Sequence, residues 1–466
     1  MTLLLANSIP WFVRSTNGFV ELDPRCGGCY AAGMISHADL VVPTLGERRY
    51  RSPLPMSTVP GDGVGDFVSD EMRVLYDVRF PAGRPPSDLA FELAGPRETL
   101  FFDPPRTRAA IVTCGGLCPG INNIIRTLFF ELSSNYGIGE VLGVRFGFEG
   151  LNPQVGKPPL LLTDDMVEGI HHAGGTILGT SRGAQDTRVA VDFLQRARID
   201  MLFCVGGDGT QRGAHEIAGE IGRRSLPIAV VGLPKTIDND IKYCSQSFGF
   251  GTAVAEADRV IDRAHTEATG VPNGIGLVKL MGRQAGYIAA AATIASGHVN
   301  FTFIPEVPFK LDGPHGLLVR LEKRLAAREH AVIVVAEGAG QDLLPEHVEG
   351  TDASGNRLLG DIGGFLKQRI TEHFAERKIP INVRYFDPSY FIRSCPANTS
   401  DSLLCEQLAR NAAHAAMAGK TDVLIGLRHD QFVHVPLEVS TGQQKLLSPE
   451  DEIWTTVLAM TGQEKW

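Results

Sequence analysis

Residues 227–240 read PIAVVGLPKTIDND, an apolar run that passes directly into a lysine, a threonine and two aspartates. The apolar part is short, rich in β-branched residues and bounded by prolines, which predicts a buried strand. In extended backbone, side chains two residues apart point to the same side, so Asp238 and Asp240 are expected to face one way. The sequence therefore predicts a strand that delivers a cation, a hydroxyl and two carboxylates to one edge of a sheet.

Other apolar runs in the chain also end in glycine-containing turns. These runs lie at residues 109–113, 199–205, 275–280 and 331–336, and the turns after them read CGGLCPG (114–120), GGDGT (206–210), MGR (281–283) and EGAG (337–340). Helical patterns begin near Asn122 and near Arg212. Strands that alternate with helices in this way are typical of parallel sheets, whose ligands collect beyond the carboxyl ends of the strands. We predict an α/β fold of two facing, Rossmann-like, doubly wound domains of mainly parallel sheet.

The bulk composition excludes several classes of function. Apolar residues make up 43% of the chain and charged residues 21%, which is typical of a soluble globular enzyme. A net charge of −9 argues against a general nucleic-acid-binding face. No run approaches the length of a membrane span, and the apolar N-terminus lacks the basic region of a signal peptide. The eight cysteines are scattered, which suits the reducing cytoplasm, and the Cys26–Cys29 pair has no second pair at zinc spacing.

The glycine turns predict a cradle for phosphate groups. Residues 115–120 offer backbone N–H groups at the start of a helix, and residues 179–183 set Arg182 among glycines. In GGDGT, Asp208 provides the hard oxygen that Mg²⁺ prefers, and Thr210 can donate to a phosphate oxygen. Phosphoryl transfer needs little more than such a cradle, a metal ion and a carboxylate that accepts the proton of the attacking hydroxyl.

Polar residues after the later strands predict how an acceptor is held. Arg283 and Arg393 are candidates for binding a phosphate on the acceptor, and Glu337 is a candidate for its hydroxyls. A single residue of this kind is as readily part of a surface ion pair, but the placement of all three near strand ends favours a site. His171 and His172 are neighbours on a predicted helix and do not share a face, and the remaining histidines are too dispersed to indicate a metal centre.

Together these segments resemble the 6-phosphofructokinase family, and most closely its long, plant-type, ATP-dependent group, which is related to pyrophosphate-dependent enzymes. The resemblance runs from about residue 94 to the 440s and rests on GGLCPGIN (115–122), GGTILGTSRG (174–183), GGDGT (206–210), PKTIDND (234–240), SFGF (247–250), NGIGLVKLMGR (273–283) and YFIR (390–393). It implies glycolytic transfer of the ATP γ-phosphate to O1 of D-fructose 6-phosphate, giving fructose 1,6-bisphosphate and ADP. It also implies Mg²⁺ as cofactor and a homodimer or homotetramer.

Carried over position by position, the resemblance makes Asp238 the general base on the sugar 1-hydroxyl and Asp208 the Mg²⁺ ligand. The residues that it implies for ATP binding are Gly116, Arg182, Gly183, Gly207, Asp208, Gly209 and Thr210. The residues that it implies for sugar-phosphate binding are Thr236, Ile237, Asp238, Met281, Gly282, Arg283, Glu337, Tyr390, Phe391, Ile392 and Arg393.

Domain boundaries follow from the pattern and the resemblance together. Residues 1–105 are rich in proline and glycine without a sustained helical period, and we expect an irregular N-terminal extension there. We expect a nucleotide-binding domain from residues 106–249 plus 392–442. A sugar-phosphate-binding domain is expected from residues 250–391 plus 443–466.

Two positions bear on the phosphoryl donor and point in opposite directions. In the pyrophosphate users, an aspartate typically stands at the position of Gly209 and crowds the α-phosphate of ATP, and a lysine at the position of Lys235 serves pyrophosphate. This chain combines the ATP-like glycine with the pyrophosphate-like lysine. We expect ATP, because a glycine leaves room for the α-phosphate and a lysine beside ATP phosphates does no harm. A pyrophosphate-dependent enzyme and a kinase for another sugar phosphate, such as sedoheptulose 7-phosphate, are the alternatives.

Two further classes of function fit the sequence less well. A nicotinamide-dependent oxidoreductase calls for G-x-G-x-x-G after the first strand and an acidic residue about twenty positions later, and the chain has no such pairing. A catalytically silent regulatory subunit would lack the base or the metal ligand, whereas Asp238 and Asp208 are both present. Effector control and the role of residues 1–95 stay open at this point.

Overall fold

The computed structural model describes residues 12–15, 18–21, 35–83, 85–183, 185–345, 350–351 and 357–464. Cys26 and Cys29, the C-x-x-C pair of the sequence analysis, lie outside the described residues. No helix within these ranges is long and apolar enough to cross a membrane.

The strands, in chain order, are β1 (Phe12–Ser15), β2 (Gly18–Glu21), β3 (Tyr50–Arg51), β4 (Arg73–Leu75), β5 (Ala90–Leu93), β6 (Thr99–Leu100), β7 (Arg108–Thr113), β8 (Glu140–Val144), β9 (Leu160–Leu161), β10 (Met201–Gly206), β11 (Ala229–Pro234), β12 (Gly274–Leu280), β13 (Phe301–Phe303), β14 (His330–Ala336), β15 (Asn382–Phe386), β16 (Val423–Arg428) and β17 (Gln431–Pro436). The α-helices are α1 (Ile121–Phe130), α2 (Asp164–Val167), α3 (Thr187–Arg196), α4 (Asp208–Arg223), α5 (Phe250–Thr269), α6 (Tyr287–Ser296), α7 (Leu317–Arg328), α8 (Ile362–Glu376), α9 (Ser389–Ser394), α10 (Thr399–Met417), α11 (Leu437–Thr441) and α12 (Glu452–Thr461). Short 3₁₀ turns occur at Ala38–Leu40, Pro104–Arg106, Gly147–Leu151, Ile170–His172 and Gln341–Leu343, and a π-helical turn continues α1 over Glu131–Asn135.

A large sheet of nine strands has the order β4-β5-β17-β16-β11-β10-β7-β8-β9. Its five central strands, from β16 to β8, are parallel, and the strands on either side pair antiparallel. Every residue of β10 and β11 is buried. Parallel strands covered on both faces read as continuous apolar runs, which explains why residues 199–205 and 227–233 were recognisable as strands.

A smaller sheet of four strands has the order β13-β14-β12-β15 and is parallel throughout. Helix α5 packs against both the strands of this sheet and α10, and thereby joins the two halves of the core. The prediction of an α/β fold built on two mainly parallel sheets is confirmed.

The strand order places a crevice in each sheet. In the large sheet the chain moves from β7 to β8 on one side and returns to β10 on the other side of β7. In the small sheet β14 and β15 flank β12 on opposite sides. The turns after neighbouring strands diverge at such points, which is where open α/β sheets bind ligands.

Part of the segment predicted as an irregular extension belongs to the large sheet. Strands β4 and β5 extend its edge beyond β17. There the buried Glu92 carboxylate pairs with the ammonium of Lys420 at 2.8 Å, the guanidinium of Arg97 at 2.9 Å and the imidazole of His434 at 3.0 Å. Removing one member of a buried ionic group leaves the other charges uncompensated, so this cluster fixes the extension to the sheet.

Candidate active site

A cavity of about 1170 Å³ opens between the carboxyl ends of the parallel strands of the two sheets. The turns after β7, β10 and β11 line it on the large-sheet side, and the turns after β12, β14 and β15 line it on the small-sheet side. The predicted site residues that line it are Gly116, Arg182, Gly183, Gly207, Asp208, Gly209, Thr210, Lys235, Thr236, Ile237, Asp238, Met281, Arg283, Glu337, Tyr390 and Arg393. Segments separated by more than 200 residues are thus brought to one space.

Three predicted residues are not among those that line this cavity. Gly282 has φ of +126° and its carbonyl accepts the Gly338 N–H at 3.1 Å, so it shapes the turn between β12 and α6. On α9, Phe391 is 81% exposed and Ile392 is buried in the core. Because residues three apart share a helix face, Tyr390 and Arg393 reach the cavity while the two residues between them do not.

Two guanidinium groups flank the first glycine turn. A Cβ atom on Gly116 would lie 3.7 Å from Nη2 of Arg182 and 3.8 Å from Nη1 of Arg393. Gly115 has φ of +83°, and its carbonyl accepts a hydrogen bond from Oγ1 of Thr180 at 2.6 Å. A turn of bare backbone held between two arginines is a suitable place for the phosphate groups of a ligand.

The second glycine turn is itself the start of a helix. Gly207 is the N-cap and α4 begins at Asp208, four residues before the position expected from the sequence. The positive end of the helix dipole therefore faces the cavity, which favours an anion there. A Cβ atom on Gly209 would meet nothing within 4 Å, so the space over this turn is open.

Asp208 is placed to share a cation with a phosphorylated ligand. Its Oδ2 atom lies 2.9 Å from Nη2 of Arg212, one helical turn further on. Burial and the neighbouring Asp240 raise the pKa of Asp208, and Arg212 opposes this shift. In the described part of the chain no group of three or more His, Cys, Asp or Glu side chains could hold a metal ion. Mg²⁺ commonly binds through one or two carboxylates plus substrate phosphates, and Asp208 fits that use.

Lys235 is buried beneath the first glycine turn. Its Nζ atom donates to the carbonyl of Gly116 at 2.5 Å and would lie 3.4 Å from a Cβ atom on Gly115. Burial lowers the pKa of Lys235, and the nearby Arg182 and Arg393 lower it further. The lysine thus braces the turn that the two arginines flank.

The segment after β11 is a turn, not extended backbone. Thr236 Oγ1 donates to Oδ1 of Asp240 at 2.9 Å and accepts the N–H of Asp238 at 3.2 Å, while Asn239 has φ of +55°. Asp238 and Asp240 both line the cavity, as predicted. The two aspartates were predicted to face one way because of strand alternation, and this reason is wrong. The left-handed backbone of Asn239, between them, sets the direction of their side chains.

Asp238 carries a carboxylate oxygen without a partner. Its Oδ1 atom is buried and has no hydrogen-bond partner within the described structure. Burial raises the pKa of Asp238 well above its ordinary value, Asp240 and Glu337 add to the shift, and Arg283 opposes it. A buried carboxylate whose proton affinity is raised in this way can accept a proton from a hydroxyl group.

Charged side chains line the small-sheet side. Lys279 Nζ lies 2.8 Å from Oδ2 of Asp387 and 3.5 Å from Oδ1 of Asp361. Burial raises the pKa of Glu337, and Arg283 and Lys279 oppose the shift. Lys279 and Asp387 also line the cavity and were missed in the sequence. A lysine inside the otherwise apolar strand β12 was the available signal.

The large-sheet side also has an apolar wall that the sequence did not reveal. Phe148, Ala190 and Ile217 line the cavity there. A Cβ atom on Gly213 would come within 2.7 Å of the Phe148 ring, so the ring packs directly on α4. An aromatic ring beside aliphatic side chains can hold a flat aromatic group.

Residues 108–416 match the family model described as phosphofructokinase. The chain is 46% identical to an ATP-dependent 6-phosphofructokinase of Borreliella burgdorferi, over 91% of this chain and 97% of that protein. It is 44% identical to ATP-dependent 6-phosphofructokinase 4, chloroplastic, of Arabidopsis thaliana, over 89% of this chain and 78% of that protein. The solved structure of a pyrophosphate-dependent phosphofructokinase from Marinobacter aquaeolei gives a TM-score of 0.63 at 20% identity, covering 77% of this chain and 92% of that one. That likeness concerns the fold alone.

Proposed function

The chain belongs to the phosphofructokinase family, and we propose that it transfers the γ-phosphoryl group of ATP to O1 of D-fructose 6-phosphate, giving fructose 1,6-bisphosphate and ADP. The observation that carries the proposal is the position of Asp238. Asp238 lines a cavity with glycine turns and Arg182 on one side and Arg283 with Glu337 on the other, and one oxygen of its carboxylate is buried without a hydrogen-bond partner.

In the proposed reaction, Asp238 accepts the proton of the sugar 1-hydroxyl as O1 attacks the γ-phosphorus. The bond from that phosphorus to the bridging oxygen breaks, and ADP leaves with the electron pair. Mg²⁺, held through Asp208 and the phosphates, would neutralise charge on the transferring group. The backbone of residues 115–116 and 207–209, with Arg182, holds the phosphate chain in line with O1.

Two observations support ATP as the donor. The open space over Gly209 accommodates an α-phosphate, and the wall of Phe148, Ala190 and Ile217 offers a surface for adenine. Pyrophosphate has no adenine ring, so with pyrophosphate as donor this apolar wall would contact no ligand. Lys235 is the residue type that the pyrophosphate-dependent enzymes have at this position. Its ammonium donates to the carbonyl of Gly116, an interaction that is compatible with either donor.

For the acceptor, Arg283 and Arg393 are proposed to bind the 6-phosphate, and Glu337 to accept hydrogen bonds from the sugar hydroxyls. Arginine forms bidentate hydrogen bonds with phosphate, which suits this end of the cavity. Sedoheptulose 7-phosphate carries the same chemical groups and is the second candidate. Cytoplasmic location and assembly as a homodimer or homotetramer stay predictions.

A coupled assay that crosses two donors with two acceptors tests the proposal. Purified enzyme is given ATP or pyrophosphate, each with fructose 6-phosphate or sedoheptulose 7-phosphate, and ADP or phosphate release is followed with Mg²⁺ present. We expect the highest kcat/KM with ATP and fructose 6-phosphate, and turnover about 10³-fold lower in the Asp238→Ser variant, which serves as the background control. Turnover with pyrophosphate but not ATP contradicts the donor, and preference for the seven-carbon sugar contradicts the acceptor.

A further inference from the structure

One stretch of chain, residues 442–451, connects the two halves of the molecule beside the cavity. It begins after α11, which packs against α4 and β17 of the large-sheet half. It ends at α12, which packs against α6 and β13 of the small-sheet half. We call it the linker. Gln444 of the linker lines the cavity itself.

On one side the linker is bonded to the segment that follows Asp238. Gln444 pairs with Ile241 in a short antiparallel bridge, and the N–H of Lys445 donates to the carbonyl of Asp240 at 2.9 Å. The Nζ atom of Lys445 donates to the carbonyls of Cys244 at 3.0 Å and Ser245 at 2.9 Å. A single residue thus holds the segment at two separate points.

On its other side the linker is bonded to the small-sheet half. The hydroxyl of Tyr287 donates to the carbonyl of Leu446 at 3.0 Å, and the N–H of Leu447 donates to Oε1 of Glu306 at 2.9 Å. The ammonium of Lys445 lies 4.9 Å from the centre of the Tyr287 ring, within the range of a cation–π contact. The linker therefore connects the Asp238 segment with the half that carries the acceptor-binding residues.

The Asp238 segment has a backbone that depends on such support. Asn239 has φ of +55°, in the left-handed region that asparagine tolerates, and Tyr243 has φ of +62°, a value that a bulky residue adopts only when its surroundings hold it. Asn239 is held by its side-chain bonds to Ser245 and Ser247. The carbonyls of Cys244 and Ser245, just after Tyr243, accept their bonds from Lys445.

We propose that Lys445 is a positioning residue for phosphoryl transfer: its ammonium holds the carbonyls of Cys244 and Ser245 and so keeps Asp238 in line with the acceptor. The inference rests on the proposed role of Asp238 as base. Lys445 is not among the residues that line the cavity, and its effect is exerted through the segment of residues 239–245.

The surroundings of the ammonium predict a pH dependence. The charged and titratable groups that face it are Asp240, Cys244, Tyr287, Arg428 and Asp451. Burial lowers the pKa of Lys445 to about 8, with Asp240 and Asp451 opposing the shift. The folded-state pKa lies below the ordinary value of 10.5, so the ammonium is present below pH 8 and is lost as the pH rises through 8. Positioning by Lys445 should weaken over the same range.

The test compares Lys445→Met with Lys445→Arg, since a guanidinium keeps its charge throughout the accessible pH range. At pH 7 we expect Lys445→Met to lower kcat about tenfold while KM for ATP and for fructose 6-phosphate changes less than threefold. Lys445→Arg should retain kcat within about threefold. Between pH 7 and 9.5 the kcat of the native enzyme should fall, and that fall should be absent in Lys445→Arg.

Lys323→Met is the control. Lys323 is exposed on α7, outside the linker and the Asp238 segment, and does not line the cavity, so kcat should stay within twofold with the native pH profile. Full activity of Lys445→Met, or a native alkaline fall in Lys445→Arg, overturns the inference. If Lys445→Met does not fold, the pH profile of Lys445→Arg is the deciding measurement: loss of the alkaline fall in kcat supports the inference, and a native fall overturns it. Absence of phosphofructokinase turnover in the native enzyme would instead overturn the proposed function.

Discussion

The two edges that meet at the cavity are built from different parts of the chain. On the large-sheet edge the turns at residues 115–116 and 207–209 present glycine backbone and the first turn of α4, beside the side chains of Arg182 and Asp208. On the small-sheet edge the surface consists of charged side chains, with Arg283 and Lys279 close enough to Glu337 to oppose the rise of its pKa.

The difference indicates how each edge recognises its ligand. A backbone cradle binds phosphate by shape and by N–H groups whose charge cannot be titrated, so a new side chain damages it by filling space. A set of mutually paired charges binds by electrostatics, and loss of one member unbalances the others. Asp238 follows β11 and so lies on the large-sheet edge, but its pKa is shifted by Glu337 and Arg283 of the small-sheet edge.

The largest effect is expected where the two edges meet. Asp238→Ser removes the proposed base and should lower kcat about 10³-fold, since general-base catalysis contributes about 10²- to 10⁴-fold. KM for fructose 6-phosphate should change little, because Arg283 and Arg393 remain. Steady-state kinetics with saturating Mg²⁺ and ATP measures both constants. A kcat within tenfold of the native value excludes Asp238 as the base.

The same variant provides a check on folding. The pKa of Asp238 is raised in the folded state, so its ionised form destabilises the fold, and this cost appears as the pH rises above the unfolded value of 3.8. At pH 7 Asp238→Ser should therefore have a melting temperature equal to or above the native one. A lower kcat accompanied by a lower melting temperature would point to structural damage.

The second largest effect tests the side-chain edge. Arg283→Met removes a charged hydrogen-bond donor, worth about 1.5–3 kcal/mol, and should raise KM for fructose 6-phosphate about 10- to 100-fold. It also removes the cation that opposes the upward pKa shifts of Glu337 and Asp238, so the acid limb of activity should move to higher pH. Isothermal titration with fructose 6-phosphate and a pH profile of kcat/KM measure these two changes.

Arg384→Met is the matched control for the side-chain edge. Arg384 lies on β15 of the same sheet, pairs with Glu267 at 3.5 Å with both side chains about half exposed, and does not line the cavity. Surface pairs of this kind contribute little, so KM should be unchanged. Equal shifts in the two variants would show that the cavity arginine has no specific role.

The sequence predicted the two-sheet fold and the backbone edge well, for a physical reason. Central parallel strands are buried on both faces, so β10 and β11 appear as uninterrupted apolar runs, and the glycine turns after them are local in sequence. The start of α4 was predicted too late, at Arg212, because a glycine-rich first turn carries no helical pattern. Strands β4 and β5 were not located because β5 pairs with β17, more than 300 residues away, and β4 pairs only with β5.

The side-chain edge was predicted less completely. In the YFIR segment all four residues were expected to bind substrate, whereas the helical period of α9 turns only Tyr390 and Arg393 to the cavity. Lys279 pairs with Asp387, which follows the neighbouring strand β15; the lysine inside an apolar strand was a local signal, but its partner lies more than 100 residues away in the sequence. Lys445 was missed for the same reason, since its partners precede it by about 200 residues.

A smaller effect is expected at the backbone edge. Gly209→Asp places a carboxylate in the open space over the second turn and should lower kcat/KM for ATP at least tenfold. An acidic residue in the first turn of a helix is favourable, so α4 itself should be undisturbed. Kinetics with varied MgATP measures the change.

Gly222→Asp is the control for that substitution. Gly222 lies near the other end of α4, and a Cβ atom there also meets nothing within 4 Å. It adds the same charge to the same helix away from the cavity, so kcat/KM for ATP should be native. Unchanged kinetics in Gly209→Asp would remove the argument that open space selects ATP.

The smallest effect concerns the ion pair within α4. Arg212 is paired with Oδ2 of Asp208 and therefore competes with a cation that binds through this carboxylate. The arginine side chain is 55% exposed, and such pairs contribute about 0.2–1 kcal/mol, so Arg212→Gln should tighten metal binding by at most about fivefold. Electron paramagnetic resonance with Mn²⁺ and a non-hydrolysable ATP analogue measures this directly. Arg223→Gln, which breaks the pair between an exposed arginine and Glu220 near the far end of α4, should leave Mn²⁺ affinity unchanged. Weaker binding in Arg212→Gln would show instead that Arg212 turns to the nucleotide phosphates.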